Sequence, residues 1–578
     1  MSVRVGSWLI AGLGLFVGCG GRSELSLELL DGGHAGSAGS AGGHAGVAAT
    51  AGAFAVGGRA GGSGGGGASN GGSAFNGGSA GSPSGGSDNA GSASAGMGGT
   101  AGMDRGPGWY VDPILGSDEN PGNFAAPFKT LEHAASVASS GETVWLFDGT
   151  YDESTEPRFA NWPDQDCTTG AGVSFAEGVQ LEALNSGQPH LVTGSHGLCL
   201  SGGAVRGLQL ECGAPGGHAV EVSSGIQGIS GSSFTGCGNP ASPATNGVNA
   251  GLVVSGDARV TLTAGNLADY SGHPNYAFAA VSDDATLTVG SGTLSTLTSA
   301  FALSGTAHID LEGVEVTAQN SARRAGTALA LLDGTPTVTL SGSTIRNYSA
   351  AIHVGDSNPN LIIDNSTIVD TNNGILALRL VPGSLRASIT NSRFERLDAG
   401  LLLFPFSGPV DISVSNSEFK TVNRPILTAI GGALSLTDVT ISDCYFGAAV
   451  SARPGLSPLS ATFRRVSVTG SQAYGISLSG RASTLFDLGT SAAPGGNLVR
   501  DNNLGASGSS NLVFYSESPI LISAIGNSWT PNTQGTDANG QCSVAAEEQS
   551  LDLTNASGPN FTSQNGNQAI LRLSEKGP

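Results

Sequence analysis

Charge is scarce in this chain. Only 12% of its 578 residues are charged, and 24 Lys and Arg face 45 Asp and Glu, for a formal net charge of −21. A protein that grips a phosphate backbone needs clustered cations, so nucleic acid is excluded as a partner. Long apolar runs are also missing. Beyond the first 19 residues no stretch of 18 or more apolar residues occurs, so the body of the chain is not expected to be embedded in a membrane. There is no Cys-x-x-Cys, no Cys/His ligand spacing, no Walker loop, no Gly-x-Ser-x-Gly elbow and no zincin motif. The expectation is therefore no cofactor, no metal and no catalytic cysteine.

Glycine, by contrast, is abundant, with 92 residues in two settings: a low-complexity segment and a set of turns. The turns belong to a repeat. Asn365-Ser366-Thr367-Ile368 returns as Asn391-Ser392-Arg393-Phe394, as Asn416-Ser417-Glu418-Phe419 and as Asp443-Cys444-Tyr445-Phe446, with a looser first copy at Gly342-Ser343-Thr344-Ile345. The closing apolar residues are spaced 23, 26, 25 and 27 apart. Each copy follows a short run of period-two alternation, such as Ile412-Ser413-Val414, which describes strands. A unit this short cannot bury its own apolar face and must stack on its neighbours. Leucine-rich repeats need a dense Leu framework that is absent here. A parallel β-helix fits, with coils stacked about 4.8 Å apart. Upstream equivalents of the buried residue are Leu210, Phe234, Leu267, Leu294 and Val316, and the next one downstream is Val468. The Asn column is expected at a left-handed turn, its amides bonding the backbone above and below. The run 238–243 is expected to be a loop inserted into one coil.

The chain opens with a targeting segment, residues 1–18, in which Arg4 precedes the apolar run Val5–Val17. Its end, Leu15-Phe16-Val17-Gly18-Cys19, resembles a bacterial lipoprotein signal, which implies lipidation of Cys19 and, with Gly20 following, an outer-membrane location. Acyl chains bury about 0.8 kcal/mol per methylene, so the implied anchor in outer-membrane lipid is durable. Residues 19–104 are almost all Gly, Ala and Ser from 31 onward, and have too few apolar side chains to offset the entropy of ordering. Such a linker of about 70 residues spans on the order of 50 Å.

From Trp109 the sequence changes character. Tyr110-Val111-Asp112-Pro113, Gly116-Ser117-Asp118, Asn120-Pro121-Gly122, Ala126-Pro127-Phe128-Lys129-Thr130-Leu131 and Gly141-Glu142-Thr143-Val144 lead to Asp148-Gly149-Thr150-Tyr151. This string is similar to the DUF1565 opening motif of pectin-lyase-like right-handed β-helix proteins. The resemblance implies an all-β right-handed parallel β-helix with a short capping helix, here near Leu131–Ala138 with Thr130 as its N-cap. The expected layout is 105–160 for the opening strand, helix and first coil, 161–530 for the coils, and 531–578 for a terminal cap or tail. A last strand is expected at Ala569–Leu573.

Without Cys19, six cysteines remain. Cys212 and Cys237 are 25 apart, close to one coil, and stacked positions lie within disulfide range. Cys167 and Cys199 are the remaining natural pair, while Cys444 and Cys542 are too far apart along the stack to be bonded. Past the buried column, Arg346, Asp370, Arg396, Asp398, Lys420 and Arg424 are expected along one edge of successive coils. They would either contact a glycan or simply be a solvated turn whose opposite charges balance. Arg158, Asp164 and Asp166 near Trp162 form a weaker group, and the histidines form no repeat-related cluster. The leading reading is an exported, lipid-anchored surface protein with a non-catalytic binding or scaffold role, its partner a polysaccharide or another cell-envelope component. The alternative is a polysaccharide lyase or related carbohydrate-active enzyme, a class that the resembled superfamily contains.

Overall fold

A computed structural model describes residues 105–572, apart from 161–166, 168–170, 186, 214–216, 236–248, 264–266, 271–275, 297–298, 320–325, 380–382, 407, 503–510, 517–519, 530–550, 553–560 and 564–568. The fold is a right-handed parallel β-helix. Each coil contributes one strand to each of three faces. In one coil His308–Glu312 lies on face 1, Val314–Ala318 on face 2 and Thr327–Leu331 on face 3. The next coil repeats the path with Thr337–Ser341, Thr344–Arg346 and Ala350–Val354. Each strand pairs in parallel with its counterparts in the coils before and after. Among the described residues no helix is long and apolar enough to cross a membrane.

Face 2 holds the column that the repeat announced. Val316, Ile345, Ile368, Phe394 and Phe419 stand in register and are buried. The Phe394 and Phe419 rings stack at 4.7 Å, the coil spacing. Each such ring buried is worth about 1.5–3 kcal/mol over an exposed one. Downward the column runs through Val468 and Val499 to Trp529, and nearer the N-terminus a separate face 2 ladder stacks Tyr151, Leu191, Leu210 and Phe234.

The fourth copy of the phrase is misplaced in the sequence reading. Phe419 pairs with Ile441, 22 residues on, not with Phe446. The true copy is Asp438-Val439-Thr440-Ile441. The reason is that the seven coils from Gly342 to Asp501 each have two left-handed corners, five residues apart, one on each side of the three-residue face 2 strand. The first corner holds Gly342, Asn365, Asn391, Asn416, Asp438, Arg465 and Gly496, and the second holds Asn347, Asp370, Arg396, Thr421, Asp443, Gly470 and Asp501. Asp443 belongs to the second. Both corners favour Gly, Asn and Asp, so the two look alike in sequence.

The expected Asn ladder is also corrected. Asn365, Asn391 and Asn416 do adopt φ near +50°, but the buried ladder is built one residue later, by serine. Ser343 N–H donates to Ser366 Oγ, Ser366 N–H to Ser392 Oγ and Ser392 N–H to Ser417 Oγ, at 3.2, 3.2 and 3.1 Å. Each hydroxyl donates back to the carbonyl two residues earlier, at 2.7–2.8 Å for Ser366, Ser392 and Ser417. Asparagine takes over this position only in the last coils. There Asn497 Oδ1 accepts from Val466 N–H, and its Nδ2 donates to the Phe463 and Leu488 carbonyls.

At the N-terminal end Trp109–Val111 pairs with Thr143–Leu146, and the helix Leu131–Val137 buries Leu131 and Ala134 in the core. Thr130 Oγ1 accepts from His133 N–H at 3.0 Å, as expected. A second cap was not foreseen. The Glu156 carboxylate accepts from Leu131 N–H and from Glu132 N–H. Burial pushes the Glu156 carboxyl up to about 8, against the opposing pull of those two N–H groups. The last strand, Ala569–Arg572, continues face 1 by pairing in parallel with Ile520–Ala524.

The Cys167–Cys199 disulfide is present, with Cα atoms 5.7 Å apart. Cys212 is also disulfide-bonded. Its expected partner Cys237 lies outside the described residues, as do Cys19, Cys542, the run 238–243 and everything before 105. Cys444 is a free, buried thiol that burial raises to about 11. It sits in the second corner, not in a strand.

Candidate functional site

The six charged residues singled out by spacing do gather at the corner between faces 2 and 3. Arg346 and Lys420 end face 2 strands in the same register column. Asp370 and Arg396 are left-handed corner residues, and Asp398 and Arg424 lead into face 3. Stacking then pairs them. Arg396 grips Asp370 through two bonds, Nε–Oδ1 2.7 Å and Nη2–Oδ2 2.9 Å, and also contacts Glu395. The bond to Asp370 raises the Arg396 pKa above its ordinary value. Arg346 meets Glu315 at 3.1 Å, and Arg424 meets Asp398 at 3.6 Å. Asn423 Nδ2 donates to Asp398 Oδ1 at 2.8 Å. Among the described residues no three carboxylates converge within 4.8 Å of one another. Arg158 is likewise paired, with Glu132 at 2.9 Å, while Trp162, Asp164 and Asp166 lie outside the described residues.

Aromatic residues on the same corner complete the site, and the sequence reading missed them. Ala448 pairs with Ile426 and with Ile476, which places Phe446 and Tyr474 in the Arg424 column. Phe446 is therefore not core; it is half-buried on the outer side. Its ring lies 5.0 Å from that of Tyr474 and 4.6 Å from that of Tyr445, which is 45% exposed. Burial raises the Tyr474 hydroxyl pKa, and nearby Arg424 only partly offsets this. Behind this ledge the outward column of face 3 is apolar. Leu376, Leu402, Leu427 and Ala449 stand in register, and Ala449 and Leu427 pack against the aromatic cluster. Leu378 and Phe404, 51% and 45% exposed, extend the same surface. The result is an apolar track with an aromatic ledge, rimmed by an amide, a carboxylate and a guanidinium. The ledge was invisible to spacing arguments because Phe446 fits the repeat phrase by accident.

A histidine pair is a further correction. His218 lies opposite His196 on adjacent face 3 strands, with ring centroids 5.6 Å apart. Burial lowers the His218 pKa.

Residues 114–166 match the family described as "Protein of unknown function (DUF1565)". The DUF1565 segment takes in the helix with its Thr130 and Glu156 caps, and Asp118, whose carboxylate accepts from Lys129 and Thr130 N–H. The chain is 34% identical over 79 residues to the uncharacterized protein YwoF of Bacillus subtilis (strain 168); this is 14% of the chain and 15% of that relative's length. Among solved structures it is similar to the pectate lyase Pel9A, at 15% identity and TM-score 0.34, covering 55% of this chain and 79% of that one. A PL6 alginate lyase in complex with a trisaccharide gives 12% identity and TM-score 0.34, covering 80% and 97%. The tailspike of E. coli bacteriophage HK620, as a double mutant, gives 11% and 0.28, covering 73% and 72%.

Proposed function

We propose that this chain is an exported protein, anchored in the outer membrane through lipid on Cys19, whose β-helix binds glycan chains without cleaving them. The observation that carries the reading is the Tyr445–Phe446–Tyr474 ledge beside Asp398, Asn423 and Arg424. A pyranose presents C–H faces and a rim of hydroxyls. Aromatic faces take the first, and fixed amide, carboxylate and guanidinium groups take the second. The pairing of Asp370, Asp398 and Glu315 with arginines supports binding over proton abstraction, because each carboxylate is already engaged. The Gly-, Ala- and Ser-rich segment would hold the β-helix away from the lipid surface.

Affinity electrophoresis through gels containing neutral and uronate polysaccharides tests the reading. At least one polysaccharide should retard the wild-type chain, and Tyr445→Ala should abolish the retardation. Formation of unsaturated product from any uronate polymer, followed by absorbance, would replace this reading with that of a lyase. The anchor is tested separately: labelled fatty acid should enter the wild-type chain and not the Cys19→Ala variant.

A further inference from the structure

Several coils nearer the N-terminus, face 3 carries a second cluster that the glycan reading does not use. His196–Leu200 and His218–Val222 are neighbouring strands, with Cys199 opposite Glu221. Cys199 is bonded to Cys167. One donor atom from each of Cys167, His196 and Glu221 lies within 4.8 Å of the others. His196 Nδ1 is buried and makes no hydrogen bond, although Glu221 Oε2 is 3.4 Å away. A buried ring nitrogen left without a bond is costly unless something else engages it.

The geometry suggests what would engage it. Two ligands each about 2.0–2.1 Å from one tetrahedral zinc ion are about 3.3–3.4 Å apart. That is the separation of His196 Nδ1 and Glu221 Oε2. Cys167 Sγ is the remaining donor of the cluster, and Cys199, to which it is bonded, supplies a second sulfur once the bridge opens. A disulfide sulfur is a poor ligand, whereas a thiolate is a strong one. We propose that Cys167, Cys199, His196 and Glu221 form a thiol-gated site for a zinc-class divalent cation, closed while the disulfide is intact and opened by its two-electron reduction. A dithiol supplies the electrons. One of its thiolates attacks a sulfur of the bridge, its second thiol resolves the mixed disulfide, and the reductant leaves as a cyclic disulfide. Cys167 and Cys199 are left as thiols. The cation then displaces their two protons to solvent and meets two thiolates, one imidazole and one carboxylate. His218, held by its Nδ1 2.7 Å from the Ala250 carbonyl, lies beside the site, its ring 5.6 Å from that of His196. The sequence showed no zinc motif because these ligands come from three separate segments.

The test uses the full chain, air-oxidised or reduced with dithiothreitol under anaerobic conditions and freed of reductant, with cobalt(II) as the spectroscopic probe and zinc(II) as competitor. The reduced chain should show the thiolate charge-transfer and visible bands of tetrahedral cobalt, and the oxidised chain should not. His196→Ala and Glu221→Gln should each weaken zinc binding by at least about 10–100-fold, since loss of a contact that only supports a ligand already costs that much. Cys444→Ser and Cys212→Ser should leave the bands in place, which separates this site from other thiols. Circular dichroism establishes that each variant is folded, and Glu221→Gln, the milder change, decides if His196→Ala is not. Bands that are missing from the reduced wild type, or that persist at full affinity in Glu221→Gln, overturn the proposal.

Discussion

In the seven coils from Gly342 to Asp501 the two left-handed corners are separated by five residues and solve the same backbone problem with different side chains. At the first corner the neighbouring serine turns inward, and Ser343, Ser366, Ser392 and Ser417 tie coil to coil through buried bonds to the main chain. At the second corner the following residue is also buried, but mostly as packing, as with Tyr348, Leu397 and Val422, while the corner side chain itself reaches outward, as in the bidentate pair between Arg396 and Asp370. One device recurs at both. Arg465 stacks over Asp438 at the first corner just as Arg396 stacks over Asp370 at the second, each a left-handed Arg above a left-handed Asp. Equal backbone geometry therefore does not imply equal energetic weight. A buried N–H that loses its acceptor costs about 1–3 kcal/mol. An exposed ion pair is worth about 0–1 kcal/mol. The inward-facing serine positions leave little freedom for change, and the outward-facing corner side chains are where the surface can be varied.

Substitutions can break or sharpen this contrast. The reference is the core between the corners: Phe394→Ala should destabilise the coil stack by about 3–5 kcal/mol in denaturant unfolding, because it opens a cavity against Phe419. Next comes Ser392→Ala, expected to cost about 1–3 kcal/mol by stranding the Ser366 N–H. Amide exchange at Ser366 should quicken in that variant, and unchanged protection there would remove the ladder from the account. Asn391→Ala should cost about 1 kcal/mol, because alanine resists the left-handed turn, while Asn391→Gly should cost less. The smallest effect belongs to the outward corner. Arg396→Ala should change stability by less than about 1 kcal/mol, and raised salt should shrink the difference further. If Arg396→Ala proved as damaging as Ser392→Ala, the distinction between the corners would fail.

Much of this architecture is legible in the chain because a period near 26 leaves few alternatives to stacking. The column from Val316 to Phe419 follows from spacing alone. Local chemistry is harder to read. Asn-Ser announces a left-handed turn, yet nothing in the pair says that the serine, not the asparagine, carries the buried ladder. Asp443-Cys444-Tyr445-Phe446 imitates the phrase because the second corner accepts the same residue types as the first. That slip assigned Phe446 to the core and concealed the aromatic ledge. The six charged residues share one edge, but which of them pair depends on the coil-to-coil register, as with Asp370 and Arg396, 26 residues apart. Glu156 was missed because its partner helix begins 25 residues earlier.

One strand sets a boundary on how this molecule can change. Arg424–Thr437 runs unbroken from face 3 into face 1, pairing with Ala399–Phe406 and Ala448–Ala452 in its first half and with Pro409–Ser415 and Leu459–Arg464 in its second. It bends at Gly431 and Gly432, where an added Cβ would come within 2.4 and 2.2 Å of the Ser457 and Val410 carbonyl oxygens. With no connecting loop, this coil has no slack at that bend. An insertion there would have to shift the register of two sheets at once, whereas coils with a loop at the same junction could take up the extra length outside the ladder. The solenoid is thus pinned at this junction, and extra length between faces 3 and 1 is expected only in the coils on either side of it.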